Sequence, residues 1–436
     1  METAFHYKRL IWVVLLLLFL LVTLARGAFA EEGQGVNEAE ERDWRIYWED
    51  GLRFRTKDNN FDIKIGGRFQ SDGAVIDPDD RTKAAFPNLS GTDAEIRRVR
   101  IYTSGTIYRN YDFKFQVDFA RWPDILYKDI YIDVKNIPYV GTIRVGHQFE
   151  PFSLEEETST KYITFMERSL PTLAFDPRRN TGLLLFNAPL NERLWWGAGV
   201  FKPVKDDAPF DFGGNSGWNV SGRITGLPWF EDETKLLLLG LSYIHKFRSE
   251  STEEKKRLIF SAWPEANLVK PLVNTGRLIS DGSDIINPAL ALVFGPFSLQ
   301  GEYYNARVNR DTGGDLNFSG FYVFTSYFIT GESRPYIASE ASFGQVKPKR
   351  NFGLKTGSGL GAWEVALRYS YIDLNDEDIQ GGEEKNVTAG LNWYLNPNVR
   401  FTFNYIFAHV EDSNAGTQFL REGDTNIFQM RFQINF

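Results

Sequence analysis

Cysteine is absent from the 436 residues, and histidine occurs only four times, at His6, His147, His245 and His409. The first absence removes disulfide scaffolds, thiolate metal sites and cysteine nucleophiles. The scattered histidines form no HExxH pair and mark no serine or water-activating set, so neither zinc hydrolysis nor triad chemistry has a visible basis. Long apolar runs are missing after residue 24, and a mean hydropathy of -0.33 is too low for a bundle of membrane helices. Disorder is excluded from the other side, because 15% of the residues are aromatic and 36 of them are Phe. A folded architecture is required that uses many aromatics without long apolar runs.

The one long run, LIWVVLLLLFLLVTL at 10–24, follows Lys8 and Arg9 and precedes Ala28, Phe29 and Ala30. A basic start, an apolar core and an A-x-A site predict a secretory signal peptide over 1–30, cleaved after Ala30. The rival, an uncleaved anchor, asks for ~20 apolar residues, and this run has 15. A polar leader is expected over 31–50, and one folded body over 51–436. Loss of Lys8, Arg9, Arg26 and Glu2 with the signal takes 49 basic and 57 acidic residues to 46 and 56, a net charge of -10. That balance disfavours a nucleic-acid partner.

From residue 61 to the end the chain alternates with period two. Phe61, Ile63, Ile65, Gly67 and Phe69 interleave with Asp62, Lys64, Gly66, Arg68 and Gln70, and Phe113 to Phe119, Phe401 to Phe407 and Phe428 to Phe436 repeat the pattern. Such alternation places apolar groups on one face of a strand and polar groups on the other. Short connections (109–111, 136–139, 187–192, 295–296, 396–398) alternate with long ones (77–91, 151–180, 202–216, 248–285, 375–384). This is the signature of an all-β fold, a transmembrane antiparallel up-and-down β-barrel with tight turns at one membrane face and loops at the other. Sixteen strands are expected, with 257–263 a seventeenth candidate that an even-numbered bacterial barrel does not need. A soluble sandwich also alternates, but it would not collect aromatics at strand ends, as at Trp195-Trp196 and Trp393-Tyr394, or end on Phe436 in an unprotected edge strand. Lipid outside and water inside fit better, with location in the outer membrane of a Gram-negative cell.

Six segments in order, among them IGGRFQSDGAVID (65–77), EIRRVRIYTSGTIYRNYDFKFQVDFA (95–120), GHQFEPFSLEEETSTKYITFMERSLP (146–171), ITGESRPY (329–336), GAWEVALRYSYIDL (361–374) and GLNWYLNPNVRFTFNY (390–405), resemble the phosphate-selective porin O and P family. The resemblance spans about Leu52 to Phe436. It implies a sixteen-stranded barrel, a homotrimer, an inward-folded constriction loop, and passive diffusion of small anions, phosphate among them. Arg68, Arg97 and Arg98 match family arginines of the early strands. The lysine that phosphate-selective members carry after the FGLE-like stretch falls on Glu156, and their lysine in the YRNYDFKF segment falls on Asp112, two residues before Lys114. The arginine-rich inward loop corresponds to about 255–277, which keeps Arg257 but few arginines in its middle. Porin follows from the resemblance; phosphate selectivity does not.

Read from the strands alone, the inward phase carries Lys64, Arg68, Arg98, Arg100, Lys114, Arg144, Arg223, Arg368, Arg400 and Arg431 against Asp62, Asp72, Asp112, Asp118, Asp129, Asp133, Glu302 and Glu364. The bland reading pairs most of them across neighbouring strands, at tenths of a kcal/mol to ~1 kcal/mol each. The functional reading treats Arg68, Arg97, Arg98, Arg100, Lys114, Arg144, Arg368 and Arg431 as the anion path, with Asp112 and Glu156 altering its selectivity. No cofactor is expected. Partners would be small solutes or anions, outer-membrane lipid and two further copies of the chain. Two alternatives stand beside the channel: a barrel enzyme, for which no constellation is visible, and a sheath around a partner protein, which the long segment 151–180 disfavours.

Overall fold

Strands whose outer phase is apolar and whose inner phase is polar leave no stable edge until the sheet closes. The computed structural model describes residues 44–210, 217–247, 257–310, 313–355 and 358–436, so the expected signal peptide and most of the leader lie outside the described residues. Sixteen antiparallel strands form the barrel, and the last pairs with the first. They are β1 (Phe61–Pro78), β2 (Gly91–Ile107), β3 (Tyr111–Asp118), β4 (Leu126–Ile137), β5 (Gly141–Phe149) and β6 (Arg179–Asn187). Next come β7 (Leu194–Lys202), β8 (Trp218–Asp232), β9 (Lys235–Phe247), β10 (Gly282–Phe294) and β11 (Phe297–Asn309). The wall closes through β12 (Leu316–Phe328), β13 (Ala362–Asp376), β14 (Ile379–Asn396), β15 (Val399–Ser413) and β16 (Leu420–Asn435).

One rim has tight turns of two to six residues, with a single exception of 33 residues between β12 and β13, at 329–361. Sequence reading missed that connection. The opposite rim carries the long segments, including 150–178 and the stretch between β9 and β10. Two expectations need correcting. The segment 375–384 is no loop: β13 and β14 run to Asp376 and from Ile379, and Lys385 of β14 bridges Glu383 on its own strand at 2.6 Å and Glu411 on β15 at 2.9 Å. The seventeenth candidate is no wall strand either. Arg257–Leu258 pairs with Leu278–Ile279, and Ser261–Ala262 with Val273–Asn274, as short ladders inside a folded-in segment.

The interior also departs from a uniformly polar lining. On the loop side of β9 to β16 the inward phase carries Ile244, Ile285, Val308, Phe318, Ile372, Ile406, Val410 and Ile427, all buried. They pack with Phe152, Phe165, Phe175 and Phe260 from folded-in segments into one core within the barrel. A second core at the tight-turn end joins Leu236, Leu238 and Val293 to Tyr336 and Phe343 of the 329–361 connection. The lumen is therefore filled by protein core at the loop side of β9 to β16 and around the 329–361 connection, with buried polar groups such as Arg368, Arg400 and Arg431 between them.

The C-terminus is built into the ladder. Gly67 N donates to Phe436 O at 2.6 Å and Phe436 N donates to Gly67 O at 2.9 Å, while a Cβ on Gly67 would lie 2.6 Å from the Phe436 ring. Below that point β16 leaves the edge of β1 free, and a hairpin of Trp44–Trp48 and Leu52–Thr56 takes it, pairing Leu52 with Ile65 and Arg55 with Asp62. The expected boundary between leader and barrel falls in the turn of this hairpin. Deleting Phe436 removes both hydrogen bonds and the ring over Gly67, so the deletion should lower the yield of assembled barrel, measured as the heat-modifiable fraction on a detergent gel. Wild-type yield would show that closure does not depend on this residue.

Candidate functional site: a basic cavity inside the barrel

Three segments fold into the lumen, and buried charge holds them. In 150–178, Glu167 meets three arginines: Arg97 at 2.9 Å, Arg431 at 2.6 Å and Arg98 at 3.7 Å. Arg431 also grips Asp72 bidentately at 2.7 and 2.6 Å. Burial pushes the Glu167 carboxyl up, but the arginines outweigh it and hold the group well below the usual carboxylate range. Glu302 accepts from the backbone N–H groups of Leu154 and Glu155 at 3.0 and 2.8 Å, satisfying the start of helix α2 (Leu154–Glu157), named after α1 (Asp80–Ala85) in the first loop. Arg368 binds Glu155 at 3.3 Å and Glu265 of the second segment at 2.5 Å, with its guanidinium 4.3 Å from the Phe165 ring. The third segment, 329–361, enters from the tight-turn rim. Its Phe343 N donates to Thr158 Oγ1 at 3.3 Å, and Arg223 donates to Ala341 O at 2.7 Å.

Between these segments and β1 to β7 remains a cavity of about 550 Å³. Nine basic residues line it against four acidic ones. Six come from the wall: Lys64 and Arg68 on β1, Arg98 and Arg100 on β2, Lys114 on β3 and Arg144 on β5. Arg179 opens β6, and Lys161 and Arg168 belong to 150–178. The acids are Asp50, Asp129, Glu157 and Glu340. Most cations are engaged: Arg100 with Asp118 at 2.6 Å, Lys114 and Arg179 with Asp129 at 2.5 and 2.7 Å, and Arg144 with Asp133 at 2.7 Å. Arg68 instead donates to Thr160 Oγ1 at 2.6 Å. Burial, opposed by Asp50 and reinforced by Arg68, Lys64 and Lys114, lowers Lys161 to about 8. Burial against the pull of Arg223 and Arg144 raises Glu157 to about 7. Aromatic rings back the cations: Arg144 lies 3.7 Å from the Tyr131 ring and 5.1 Å from that of Phe186, Arg179 3.7 Å from Phe149, and Arg223 5.4 Å from Trp195.

Of the residues singled out from sequence, Arg68, Arg98, Arg100, Lys114 and Arg144 line this cavity together. Arg97, Arg368 and Arg431 lie outside its lining and fasten the inward segments. Glu156 is buried on Arg168 at 2.6 Å, and Asp112 pairs with Lys135 at 2.8 Å. Lys161, Arg168, Glu157 and Asp50 lie off the strands, and Arg179, the first residue of β6, falls in the connection expected over 151–180; the STK and ER of the 146–171 motif were the available signal.

The model of the family described as phosphate-selective porin O and P matches residues 63–436. Porin O of Pseudomonas aeruginosa is 26% identical over 436 residues, covering 90% of this chain and 93% of that protein. An uncharacterized protein of Caulobacter vibrioides is also 26% identical, over 90% of this chain and 77% of its own length. Among solved structures, an anion-selective porin from Comamonas acidovorans aligns with a TM-score of 0.54 at 12% identity, over 86% of this chain and 100% of that one. OmpT of Vibrio cholerae in its trimer form aligns with a TM-score of 0.52 at 9% identity, over 86% of this chain and 99% of that one. At those identities the likeness to solved structures is one of fold.

Proposed function

Because the chain belongs to the phosphate-selective porin O and P family and is an outer-membrane porin, we propose that it passes small anions by diffusion, with weak preference and without strong phosphate binding. The carrying observation is the cavity's nine basic against four acidic residues, which gives a positive local field in a chain that is acidic overall. Weakness follows from the pairing. A multiply charged anion must be desolvated by free donors, and Glu156 and Asp112, where phosphate-selective members carry lysine, each occupy a cation instead, Arg168 and Lys135. The enzyme reading has no reactive set to support it, and the segments folded into the lumen fill the bore that a sheath would need.

Assembly as a homotrimer is part of this reading. Strands β3, β5, β6 and β7 have only 8, 9, 9 and 9 residues, whereas β8 to β16 have 13 to 18. Nine residues at ~3.3 Å each and a ~40° tilt rise roughly 23 Å, short of the apolar band of ~25 Å. This low wall, with Val145, Leu183 and Val200 outward and exposed, suits contact with further copies rather than lipid. A signal peptide ending at Ala30 completes the reading, with a mature N-terminus at Glu31 in the outer-membrane fraction.

Purified protein in planar bilayers tests the proposal. Reversal potentials in a potassium chloride gradient should fall on the anion side, and micromolar phosphate should inhibit the chloride current little. Glu156→Lys combined with Asp112→Lys should raise phosphate block, and Arg98→Ala should lower the anion-to-cation permeability ratio. Cation preference in the wild type would overturn the anion reading, and block by micromolar phosphate would overturn its weakness.

A further inference from the structure

The turn of the N-terminal hairpin reaches the cavity through Asp50. Asp50 takes φ 50°, the left-handed region, and Gly51 takes φ 135°, where an added Cβ would lie 2.7 Å from Ile65 O and 3.0 Å from Lys64 Cε. The turn is thus pressed onto β1 in a backbone conformation that costs ~1 kcal/mol or more for a residue with a side chain. The carboxylate it presents is shared. Asp50 Oδ2 accepts from Lys64 Nζ at 2.6 Å and lies 3.8 Å from Lys161 Nζ. Both ammonium groups face the ring of Tyr102, at 5.7 and 5.5 Å. The second oxygen, Oδ1, is buried without a hydrogen-bond partner. Arg68 adds a third cation on β1 with no carboxylate in ion-pair contact among the described residues, and it hydrogen-bonds only the neutral Thr160 hydroxyl.

This is a small-anion site already holding an anion that belongs to the chain. Two lysines face a single carboxylate that is half satisfied and carried on a strained turn, with Arg68 as a further cation of the same cavity. The hairpin behind it is lightly held: Trp44, Ile46 and Trp48 remain 41%, 63% and 59% exposed, so little apolar burial anchors it beyond the ladder to β1 and the contacts of Arg53 and Arg55 with Asp62.

We propose that Asp50 is a tethered occupant of the pore's anion site, holding between Lys64 and Lys161 the place that a permeating small monoanion takes and being displaced by it. The inference rests on the anion-channel reading above. Exchange of one monoanion for another keeps both lysines paired throughout, so passage needs no bare ammonium groups and no tight complex. The class of solute it favours is singly charged and of carboxylate or chloride size. A larger, multiply charged anion would have to displace Asp50 and also find donors that Asp118, Asp129 and Glu156 already hold.

Asp50→Asn tests this, because Asn tolerates the left-handed turn while losing the charge. Measurements belong at pH 6, below the value of about 8 to which burial lowers Lys161. Removing a unit charge ~4 Å from the site in a water-like dielectric should raise the chloride-to-potassium permeability ratio about fivefold. Acetate and chloride currents should saturate at lower concentration in the same variant. Asp50→Glu, which keeps a carboxylate on a longer arm, should remain near wild type. Lys64→Gln added to Asp50→Asn should cancel most of the rise. An assembled, heat-modifiable Asp50→Asn channel with the wild-type ratio would overturn the proposal, as would a full rise that persists with Lys64→Gln, since Asp50 would then act as a general charge at the pore mouth. A cation-selective wild type would instead sink the anion reading itself, so the two failures are distinguishable.

Discussion

Replacing Glu167 by glutamine should enlarge the channel more than any change to a cavity residue. Glu167 is the one carboxylate through which 150–178 reaches Arg97, Arg98 and Arg431, and therefore β2 and β16 at once. Glutamine keeps the shape but leaves buried arginines short of charge. Breaking a buried pair costs about 3–5 kcal/mol, which is roughly two to three and a half orders of magnitude in the ratio of docked to undocked segment. Arg400, which donates to Ile163 O and Thr164 O at 2.8 and 2.7 Å, and Glu302, which caps α2, still hold the chain before Glu167, and Ser370 Oγ, which accepts from Leu170 N at 3.0 Å, holds the chain after it. The release should therefore be local to the stretch around Glu167 and appear as higher, noisier single-channel conductance in a barrel that still assembles. Acid should not mimic it. A carboxyl held below its usual range contributes docking energy that is lost only as pH falls through that lowered value, so conductance should hold from pH 7 down to 4. Wild-type conductance in the Glu167→Gln channel would show that the other contacts suffice.

The barrel was legible in the sequence because the outer phase is unbroken. Phe61 to Phe69, Phe401 to Phe407 and Phe428 to Phe436 each announce a wall strand, and the tight turns at 295–296 and 396–398 fall where the chain places them. The interior was less legible. Period two gives the face a residue occupies, yet it cannot tell whether that face meets water or a folded-in segment. Ile406, Ala408 and Val410 lie in inward phase on β15, in line with Arg400 and Asn404, and only the arrival of Phe165 and Phe260 makes them core. For the same reason Arg368 and Arg431 read as pore-lining. Their partners Glu155, Glu265 and Glu167 lie 100 to 270 residues away along the chain, with no local pattern to join them. The tether at Asp50 was hidden differently. The stretch EERDWRIYWEDG reads as polar leader because its alternation, Trp44, Ile46 and Trp48 against Arg45 and Tyr47, is short and bordered by charge.

Selectivity should fall as pH rises from 6 to 9, and in two steps. Glu157 and Lys161 both line the cavity, and burial moves them toward neutrality from opposite sides, to about 7 and about 8. At pH 6 the lysine is charged and most of the glutamic acid is protonated. At pH 9 the glutamate is charged and most of the lysine is neutral. Both changes have the same sign, so the cavity loses two units of positive charge across the interval. Each unit within ~4 Å of a permeating ion is worth ~1 kcal/mol in a water-like dielectric, so together they should lower the chloride-to-potassium permeability ratio by up to about thirtyfold, less where the ion passes farther away. Arg223 and Arg144 favour the charged form of Glu157 while Glu156 and Asp129 oppose it, and Asp50 favours the charged form of Lys161 against Arg68, Lys64 and Lys114. Reversal potentials across the pH series separate the steps. Glu157→Gln should remove the step near pH 7 and leave the one near 8, while Lys161→Arg, whose charge survives to high pH, should do the reverse. A flat profile in the wild type would place the permeating anion away from both residues.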